Sequence, residues 1–200
     1  MRKLLVTAFL TLDGVHQAPG APDEDKSGEF AYGGWAFPHW DDAISQRMDE
    51  TMSRPFDLVL GRKTYDIFAG FWPNAPEEAG GKPLNDATKH VASRGKPTLE
   101  WQHSHLIEGD VPEGIAALKA QDGPELQVHG SANLVQTLMR HNLVDEYQLF
   151  IFPVLVGSGR RLFADGAVPS GLKLLKGEVT PKGALIANYA PDGELRTGSF

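Results

Sequence analysis

The stretch LQVHGSANLVQTLMRHNLVDEYQLFIFPVLVGSGRRLF, residues 126–163, decides the fold of this 200-residue chain. It opens with a short apolar strand at 126–128, turns at Gly130 and continues as a helix over 132–141. The following segment, 146–156, is rich in the aromatic and branched side chains that favour strands. A strand, a helix and another strand in this order form the unit from which parallel sheets are built.

The same alternation extends through the rest of the chain. We predict further strands at 4–10, 57–60, 90–92 and, with a weaker pattern, 104–107, and helices at 41–53, from 62 to about 68, at 84–89 and at 112–120. Two strand-like halves at 172–190 flank Lys182-Gly183, which is a hairpin signal. The sequence therefore predicts one α/β domain over 1–200, with a mostly parallel central sheet and an antiparallel hairpin at its C-terminal edge.

Composition narrows the classes of function. The formal net charge is -7, from 19 basic and 26 acidic residues, which argues against a nucleic-acid coat or a polybasic membrane contact. The chain has no cysteine, which excludes disulfide scaffolds, thiolate metal sites and cysteine nucleophiles. No apolar run approaches the roughly 20 residues of a membrane span. We expect a soluble, cytoplasmic protein that acts on a small molecule, without nucleic-acid or membrane partners.

Three predicted strands are each followed by a glycine or a serine and then by basic or polar residues. These segments are Gly61-Arg62-Lys63-Thr64, Ser93-Arg94 and Gly130-Ser131-Ala132-Asn133. In a parallel sheet these ends meet at one edge, where glycine permits close approach and helix starts favour phosphate. Each signal alone also fits an ordinary turn or a solvated cation. Together they indicate a seat for a phosphorylated nucleotide, although neither the Gly-x-Gly-x-x-Gly nor the Walker pattern is present.

A long loop at 16–40 carries a cluster of aromatic side chains. Trp35, Phe37 and Trp40 are suited to stack on a flat heterocycle, and we expect them to line or cover a substrate pocket. The same rings also suit a dimer interface or a cover for the core.

Four segments of the chain resemble one known family. They are KLLVTAFLTLDG at 3–14, VLGRKTYDIF at 59–68, KHVASR at 89–94 and the opening stretch at 126–163. They are similar to the dihydrofolate reductase-like superfamily, and most closely to its riboflavin-biosynthesis branch, the RibD C-terminal domain family. The resemblance implies a stand-alone, three-layer, NADPH-dependent reductase, often homodimeric, acting on a small heterocycle as 5-amino-6-(5-phosphoribosylamino)uracil reductase does.

The resemblance also assigns roles to the three strand ends. It implies that Gly61, Arg62, Lys63 and Thr64 contact the cofactor phosphates. Ser93 and Arg94 would lie near the adenosine 2'-phosphate, and Gly130, Ser131, Ala132 and Asn133 would line the pyrophosphate. It places the Asp13-Gly14 turn near the substrate, although Asp-Gly is also a common structural turn. Residues 157–161, Gly-Ser-Gly-Arg-Arg, match a loop of the family. Their sequence fits either a phosphate-binding loop or a tight turn.

Reduction of dihydrofolate also requires a residue that protonates the pterin ring. Dihydrofolate reductases place a buried carboxylate on the helix after the first loop, and Asp41 and Asp42 lie near that place. Both also lie at a predicted helix start, where acids cap free N–H groups. Asp42, and Asp13 in the turn after the first strand, are the candidates for the proton donor. His103 and His105 suggest a metal site, but a solvated strand is the stronger interpretation, and we predict no metal.

One departure from the family leaves alternatives open. The riboflavin branch commonly has Glu-Gly-Gly where this chain has His129-Gly130-Ser131. Dihydrofolate reductase-type activity and a nucleotide-binding or regulatory protein without turnover are the alternatives to the riboflavin-type reductase.

Overall fold

An eight-stranded mixed sheet forms the centre of the computed structural model, which describes residues 1–76, 79–164 and 167–199. Its strands are β1 (Leu4–Thr11), β2 (Phe56–Gly61), β3 (Lys89–Ala92), β4 (Ser104–Leu106), β5 (Glu125–Val128), β6 (Glu146–Phe152), β7 (Leu172–Val179) and β8 (Leu185–Pro191). The order across the sheet is β4-β3-β2-β5-β1-β6-β8-β7. The first six strands are parallel, and β8 and β7 are antiparallel to their neighbours. The predicted fold class is confirmed.

Five α-helices connect or flank these strands. They are α1 (Asp42–Met52), α2 (Arg62–Phe71), α3 (Lys82–Asp86), α4 (Val111–Ala120) and α5 (Ala132–Arg140), with short 3-10 helices at Ser27–Glu29, Phe37–His39 and Trp72–Asn74. Within the described ranges, no helix is both long and apolar enough to cross a membrane.

Two predicted boundaries were wrong, each for a physical reason. The helix expected at 84–89 lies at Lys82–Asp86, since Pro83 suits a first helical turn, and Lys89 instead begins β3. The strand expected at 146–156 ends at Phe152, because Pro153 has no N–H to continue the ladder.

Alternation along β1 assigns the two faces of the sheet. Leu4, Val6, Ala8 and Leu10 point into a cluster that also holds buried side chains of α4 and α5. The opposite face packs against α1 and α2, through clusters that include Phe150 and Phe152 with Ile44, and Leu58 and Leu60 with Tyr65. The sheet therefore lies between two helical layers.

A buried polar row holds α1 against the sheet. Gln127 Nε2 donates to the Thr51 carbonyl oxygen at 3.1 Å, and Thr51 Oγ1 donates to Gln148 Oε1 at 3.0 Å. Thr7 Oγ1 lies 3.4 Å from the same Gln148 oxygen. Because all four side chains are buried, each would carry a desolvation penalty without its partners. The contacts consequently fix how α1 lies on the sheet.

The C-terminal hairpin leaves an apolar strand exposed. Among the described residues, β7 pairs with β8 alone and forms one edge of the sheet. Four of its apolar side chains are largely exposed: Leu172, Leu174, Leu175 and Val179. We call these four residues the β7 patch.

Candidate functional site

The carboxyl ends of five neighbouring strands lie in a row at one edge of the sheet. β3, β2, β5, β1 and β6 are adjacent and parallel, so they all end on the same side. Gly61 is paired with Ala92, which places Ser93 directly beside the end of β2. The Gly61 N–H donates to the Gly130 carbonyl oxygen at 3.1 Å. The structure thus brings the three predicted strand ends together.

The ends of β2 and β5 are packed so closely that glycine is required at both. A Cβ atom on Gly61 would clash with Ser131 Oγ and would lie 2.9 Å from its backbone nitrogen. A Cβ atom on Gly130 would lie 2.7 Å from Thr64 Oγ1. The Gly130–Ser131 peptide bond is cis, and Gly130 has a φ of +135°. We call this contact the glycine junction.

Two helices begin at the glycine junction without a side-chain cap. α2 is preceded by Gly61, which has no side chain to cap it, and α5 by Ser131, whose hydroxyl accepts no hydrogen bond from the first turn of the helix. By contrast, Asp41 caps α1 and Asp110 caps α4. N–H groups at a helix start without a capping side chain favour an anion. The glycine junction therefore combines close backbone approach with two helix starts suited to a phosphate.

The predicted cofactor side chains surround this junction in different ways. Arg62 Nε donates to Asp66 Oδ1 at 2.6 Å along the exposed surface of α2. Arg94 is exposed just after β3, and Ser93 Oγ accepts from the Gly95 N–H at 3.2 Å. In the first turn of α5, Ala132 is buried and Asn133 is exposed.

Lys63 contacts a residue that the sequence patterns did not single out. Its Nζ atom lies 2.8 Å from Asp25 Oδ1, and Arg160 forms an ion pair with the other carboxylate oxygen. Asp25 belongs to residues 20–29 of the long loop, which we call the acidic loop. The acids of this segment and the two cations are visible in the sequence, but only the fold reveals that they meet.

Asp13 fixes a turn. Its carboxylate accepts from Thr11 Oγ1 at 2.6 Å, from the Gly157 N–H at 2.9 Å and from the Val156 N–H at 3.3 Å. The Thr11 hydrogen bond, followed by the backbone N–H bonds, holds the pKa of Asp13 below its usual value. Arg161 Nε donates to the Asp13 carbonyl oxygen at 2.9 Å. Asp13 thus joins the end of β1 to the turn at 157–161.

The start of α1 presents no acid to the sheet. Asp41 Oδ1 accepts from the Ile44 N–H at 3.2 Å, and Oδ2 accepts from the Lys182 N–H at 3.0 Å. Asp42 is exposed, as are the other two acids of this fully described helix. Its buried charged residue is a cation, Arg47, which pairs with Glu178 at 2.7 Å. Asp42 therefore does not occupy the buried position that a dihydrofolate reductase carboxylate requires.

The three loop aromatics lie in different environments. Trp35 is buried, donates from Nε1 to the Gln17 carbonyl oxygen at 2.8 Å and packs edge-on against Phe152. Trp40 is half-buried and packs edge-on against Phe9. Phe37 is 77% exposed. Trp35 therefore covers the core, and Phe37 is the ring of this group that lies open at the surface.

His129 lies beside the glycine junction as a neutral group. Its Nε2 atom is 3.3 Å from Gln127 Oε1, and its ring centroid is 6.2 Å from that of Phe68. Burial lowers the pKa of His129 to about 4, so the ring is uncharged at neutral pH. If Nε2 donates to Gln127, Nδ1 is left as an acceptor. A hydrogen-bonding imidazole thus stands where the riboflavin branch commonly has a carboxylate.

The two histidines of the metal hypothesis lie at β4. His105 belongs to the strand, and His103 precedes it with a φ of +59°. In the part of the chain that the structure describes, no group of three or more His, Cys, Asp or Glu side chains is placed to hold a metal ion.

Comparison with known proteins places this geometry in a family. The RibD C-terminal domain family matches residues 2–186, and the chain belongs to that family. The chain is 26% identical over 197 residues to the uncharacterized protein YyaP of Bacillus subtilis (strain 168), covering 96% of each chain.

Solved structures agree with this placement at the level of the fold. A putative riboflavin biosynthesis protein from Shewanella sp. PV-4 superposes with a TM-score of 0.68 at 21% identity, over 95% of this chain and 99% of that one. Dihydrofolate reductase from Enterococcus faecalis, solved with NADP(H) and RAB-propyl, superposes with a TM-score of 0.58 at 16% identity, over 95% and 96%. The chain has the dihydrofolate reductase-like fold.

Proposed function

We propose that this member of the RibD C-terminal domain family is an NADPH-dependent reductase. It would transfer a hydride to a small heterocyclic acceptor, in a reaction of the type of 5-amino-6-(5-phosphoribosylamino)uracil reduction. The observation that carries the proposal is the glycine junction, where two helix starts without side-chain caps meet at the carboxyl ends of adjacent strands. The family and the fold shared with a dihydrofolate reductase solved with NADP(H) support the choice of cofactor.

The residues at this edge fit a dinucleotide that carries phosphates. The backbone N–H groups at the starts of α2 and α5 would bind the pyrophosphate, since helix starts favour phosphate. Thr64 packs on Gly130 and would fix the width of this cradle. Arg94, exposed at the end of the adjacent β3, would pair with the 2'-phosphate through its guanidinium. Hydride transfer is the chemistry that NADPH supplies when bound.

The acceptor would lie beside His129, on the face of the sheet that α1 and α2 cover. His129 is neutral and would offer hydrogen bonding instead of a negative charge. Asp13 and Asp41 hold backbone N–H groups, so the proton would come from water instead of these carboxylates. The long loop would limit access of bulk water to the acceptor.

The test is calorimetric titration of the purified chain with NADPH and, in parallel, with NADH. We expect clear binding that favours NADPH. Arg94→Ala should weaken NADPH binding by roughly tenfold or more and leave NADH binding nearly unchanged, because a charge-assisted bond to the 2'-phosphate is lost. Lys96→Ala is the matched control, since Lys96 is an exposed cation two residues away. Absence of binding by both nucleotides would overturn the proposal, and equal weakening by Arg94→Ala would overturn the role of Arg94.

A second candidate is a nucleotide-binding protein without turnover. The observation that favours it is that Asp13 and Asp41 are engaged in turns and caps, while Asp42 is exposed. The same observation leads us to expect no reduction of dihydrofolate. An assay that monitors NADPH oxidation by the absorbance of NADPH separates the candidates. The acceptors offered are a panel of ribosylaminopyrimidines and dihydrofolate. Oxidation with any acceptor excludes the non-catalytic candidate, and tight binding without oxidation supports it.

A further inference from the structure

The Asp25 carboxylate is bound as a ligand anion would be. Its side chain is only 7% exposed and lies between cations from two separate elements. Lys63 Nζ, in the first turn of α2, is 2.8 Å from Oδ1, and Arg160, in the turn after β6, pairs with Oδ2. Ser27 adds its N–H at 3.1 Å and its hydroxyl at 2.7 Å. The chain has thus built a polar site around a carboxylate of its own.

The two cations also share a second partner, the Ser27 hydroxyl. Lys63 Nζ donates to Ser27 Oγ at 2.5 Å, and Arg160 donates to the same oxygen at 2.7 Å. Two positive charges therefore meet one negative charge, which leaves the group with an excess of one positive charge. A phosphate dianion would neutralise this pair more completely than a single carboxylate.

A half-buried histidine lies next to the same group. The backbone N–H of His16 donates to the Arg160 carbonyl oxygen at 2.9 Å. Its side-chain Nε2 is buried without a hydrogen-bond partner among the described residues. Burial first, and then the Arg160 charge, lower the pKa of His16 to about 4. A buried polar group without a partner is costly, and it marks this region as one where further polar contacts are available.

We propose that the Lys63–Arg160 pair is a binding site for a phosphate group, and that Asp25 occupies it until a phosphorylated ligand displaces the carboxylate. An arginine and a lysine that hold both oxygens of a carboxylate present the donors that a phosphate needs. Only the identity of the natural ligand rests on the proposed function. That ligand contributes a phosphate either from the nucleotide cofactor or from a phosphorylated acceptor.

The backbone of the acidic loop is tethered separately from the Asp25 side chain. Gln17 Nε2 donates to the carbonyl oxygens of Asp25 at 3.0 Å and of Ser27 at 2.9 Å. Gln17 Oε1 accepts from the Arg160 N–H at 3.1 Å. The carboxylate is therefore able to rotate away while the loop remains over the site. Displacement would convert the acidic loop from an occupant of the site into its cover.

The experiment measures binding of inorganic pyrophosphate to the full chain by calorimetry. Asp25→Asn removes the competing charge, and we expect about tenfold tighter binding than in the wild type. Asp23→Asn is the matched control, because Asp23 is an exposed acid of the same loop, and its affinity should equal that of the wild type. Unchanged or weaker binding by Asp25→Asn would overturn the proposal.

A second variant tests the site without touching the buried carboxylate. Lys63→Ala should lower the affinity for pyrophosphate by about tenfold, whereas Lys26→Ala, at an exposed lysine of the acidic loop, should not. Equal affinities of Lys63→Ala and the wild type would overturn the proposal even if Asp25→Asn fails to fold.

A competition titration then identifies the source of the phosphate. Pyrophosphate that competes with NADPH assigns the site to the cofactor, and pyrophosphate that competes only with ribose 5-phosphate assigns it to the acceptor. If NADPH does not bind at all while Asp25→Asn still tightens pyrophosphate binding, the proposed function fails and the phosphate site stands. Competition with neither ligand overturns the role of the site in ligand binding.

Discussion

Gly61 is the residue on which the glycine junction depends most directly. Its missing side chain allows the end of β2 to lie against Ser131. Gly61→Ala should lower the free energy of unfolding by roughly 1–3 kcal/mol, because a Cβ atom has no room there and the junction must shift. The same shift should weaken nucleotide binding. Chemical denaturation and NADPH titration measure the two effects.

Gly70→Ala provides the matched control for this prediction. Gly70 lies in α2, and a Cβ atom on it would meet nothing within 4 Å. Alanine suits a helix better than glycine does, so the free energy of unfolding of this variant should rise by up to about 1 kcal/mol. Its nucleotide binding should equal that of the wild type. Equal losses of stability in the two variants would contradict the close packing at Gly61.

The neutral state of His129 makes a pH-dependent contribution to stability. In the unfolded chain a histidine has a pKa of 6.5, whereas burial lowers the folded value to about 4. The unfolded state therefore binds the proton first as the pH falls from 6.5 towards 4, and stability is lost in that window. Between pH 6.5 and pH 4.5, the free energy of unfolding of His129→Gln should therefore fall by about 2 kcal/mol less than that of the wild type, at about 1.4 kcal/mol per pKa unit. Urea denaturation at both pH values measures the difference, and parallel losses would show that His129 is not buried in its neutral form.

At the residue scale, the sequence predicts backbone positions better than side-chain partners. Gly61 and Gly130 follow short apolar segments, so the local sequence is enough to predict that strands end there. The parallel pairing of β2 and β5 then brings the two glycines together. The contact between Asp25 and Arg160 joins residues 135 positions apart, and no local pattern records it. The burial of Trp35 likewise depends on Phe152, which lies on a distant strand. Such pairings follow from tertiary packing instead of from periodicity.

At the element scale, the helices fall into two groups by how they begin. Asp110 Oδ1 accepts from the Glu113 N–H at 3.0 Å at the start of α4, whereas Ser131 caps nothing at the start of α5. Asp110→Ala should cost about 1 kcal/mol of stability, and Ser131→Ala less than about 0.5 kcal/mol. Thermal unfolding of both variants tests the contrast. A larger loss in Ser131→Ala would contradict a ligand-facing start for α5.

Most elements were predictable because their patterns are local. The start of α1 follows from Asp41 and that of α4 from Pro112 in its first turn, because each stands at the beginning of an apolar periodic segment. The displaced helix at 84–89 shows where such reasoning ends. Lys89 looks like a solvated helix end, but its Nζ is buried and donates to the carbonyl oxygens of Asn85 and Gln102. A charged side chain in a strand core becomes acceptable only through partners that the fold supplies.

At the scale of the whole molecule, the β7 patch leads us to predict a homodimer. Exposed apolar side chains on an edge strand favour pairing with a second copy. Leu174→Asp should shift the chain to a monomer, because a carboxylate on the patch is costly to bury. Sedimentation equilibrium measures the mass. Leu195→Asp is the control, since Leu195 is exposed outside the patch. A wild-type monomer, or a dimer that Leu174→Asp leaves intact, would contradict the prediction.

The central position of β1 has a consequence for how a ribosome delivers this protein. β1 leaves the exit tunnel well before its sheet partners β5 and β6, which lie more than 100 residues later in the chain. The β2, β3 and β4 strands, by contrast, pair with one another over 56–106 and are able to associate early. During synthesis, the apolar β1 segment therefore waits without its neighbours until the second half of the chain emerges. This interval is when a nascent chain depends on a chaperone such as a ribosome-bound holdase, and a stalled translation product that ends before β5 should aggregate.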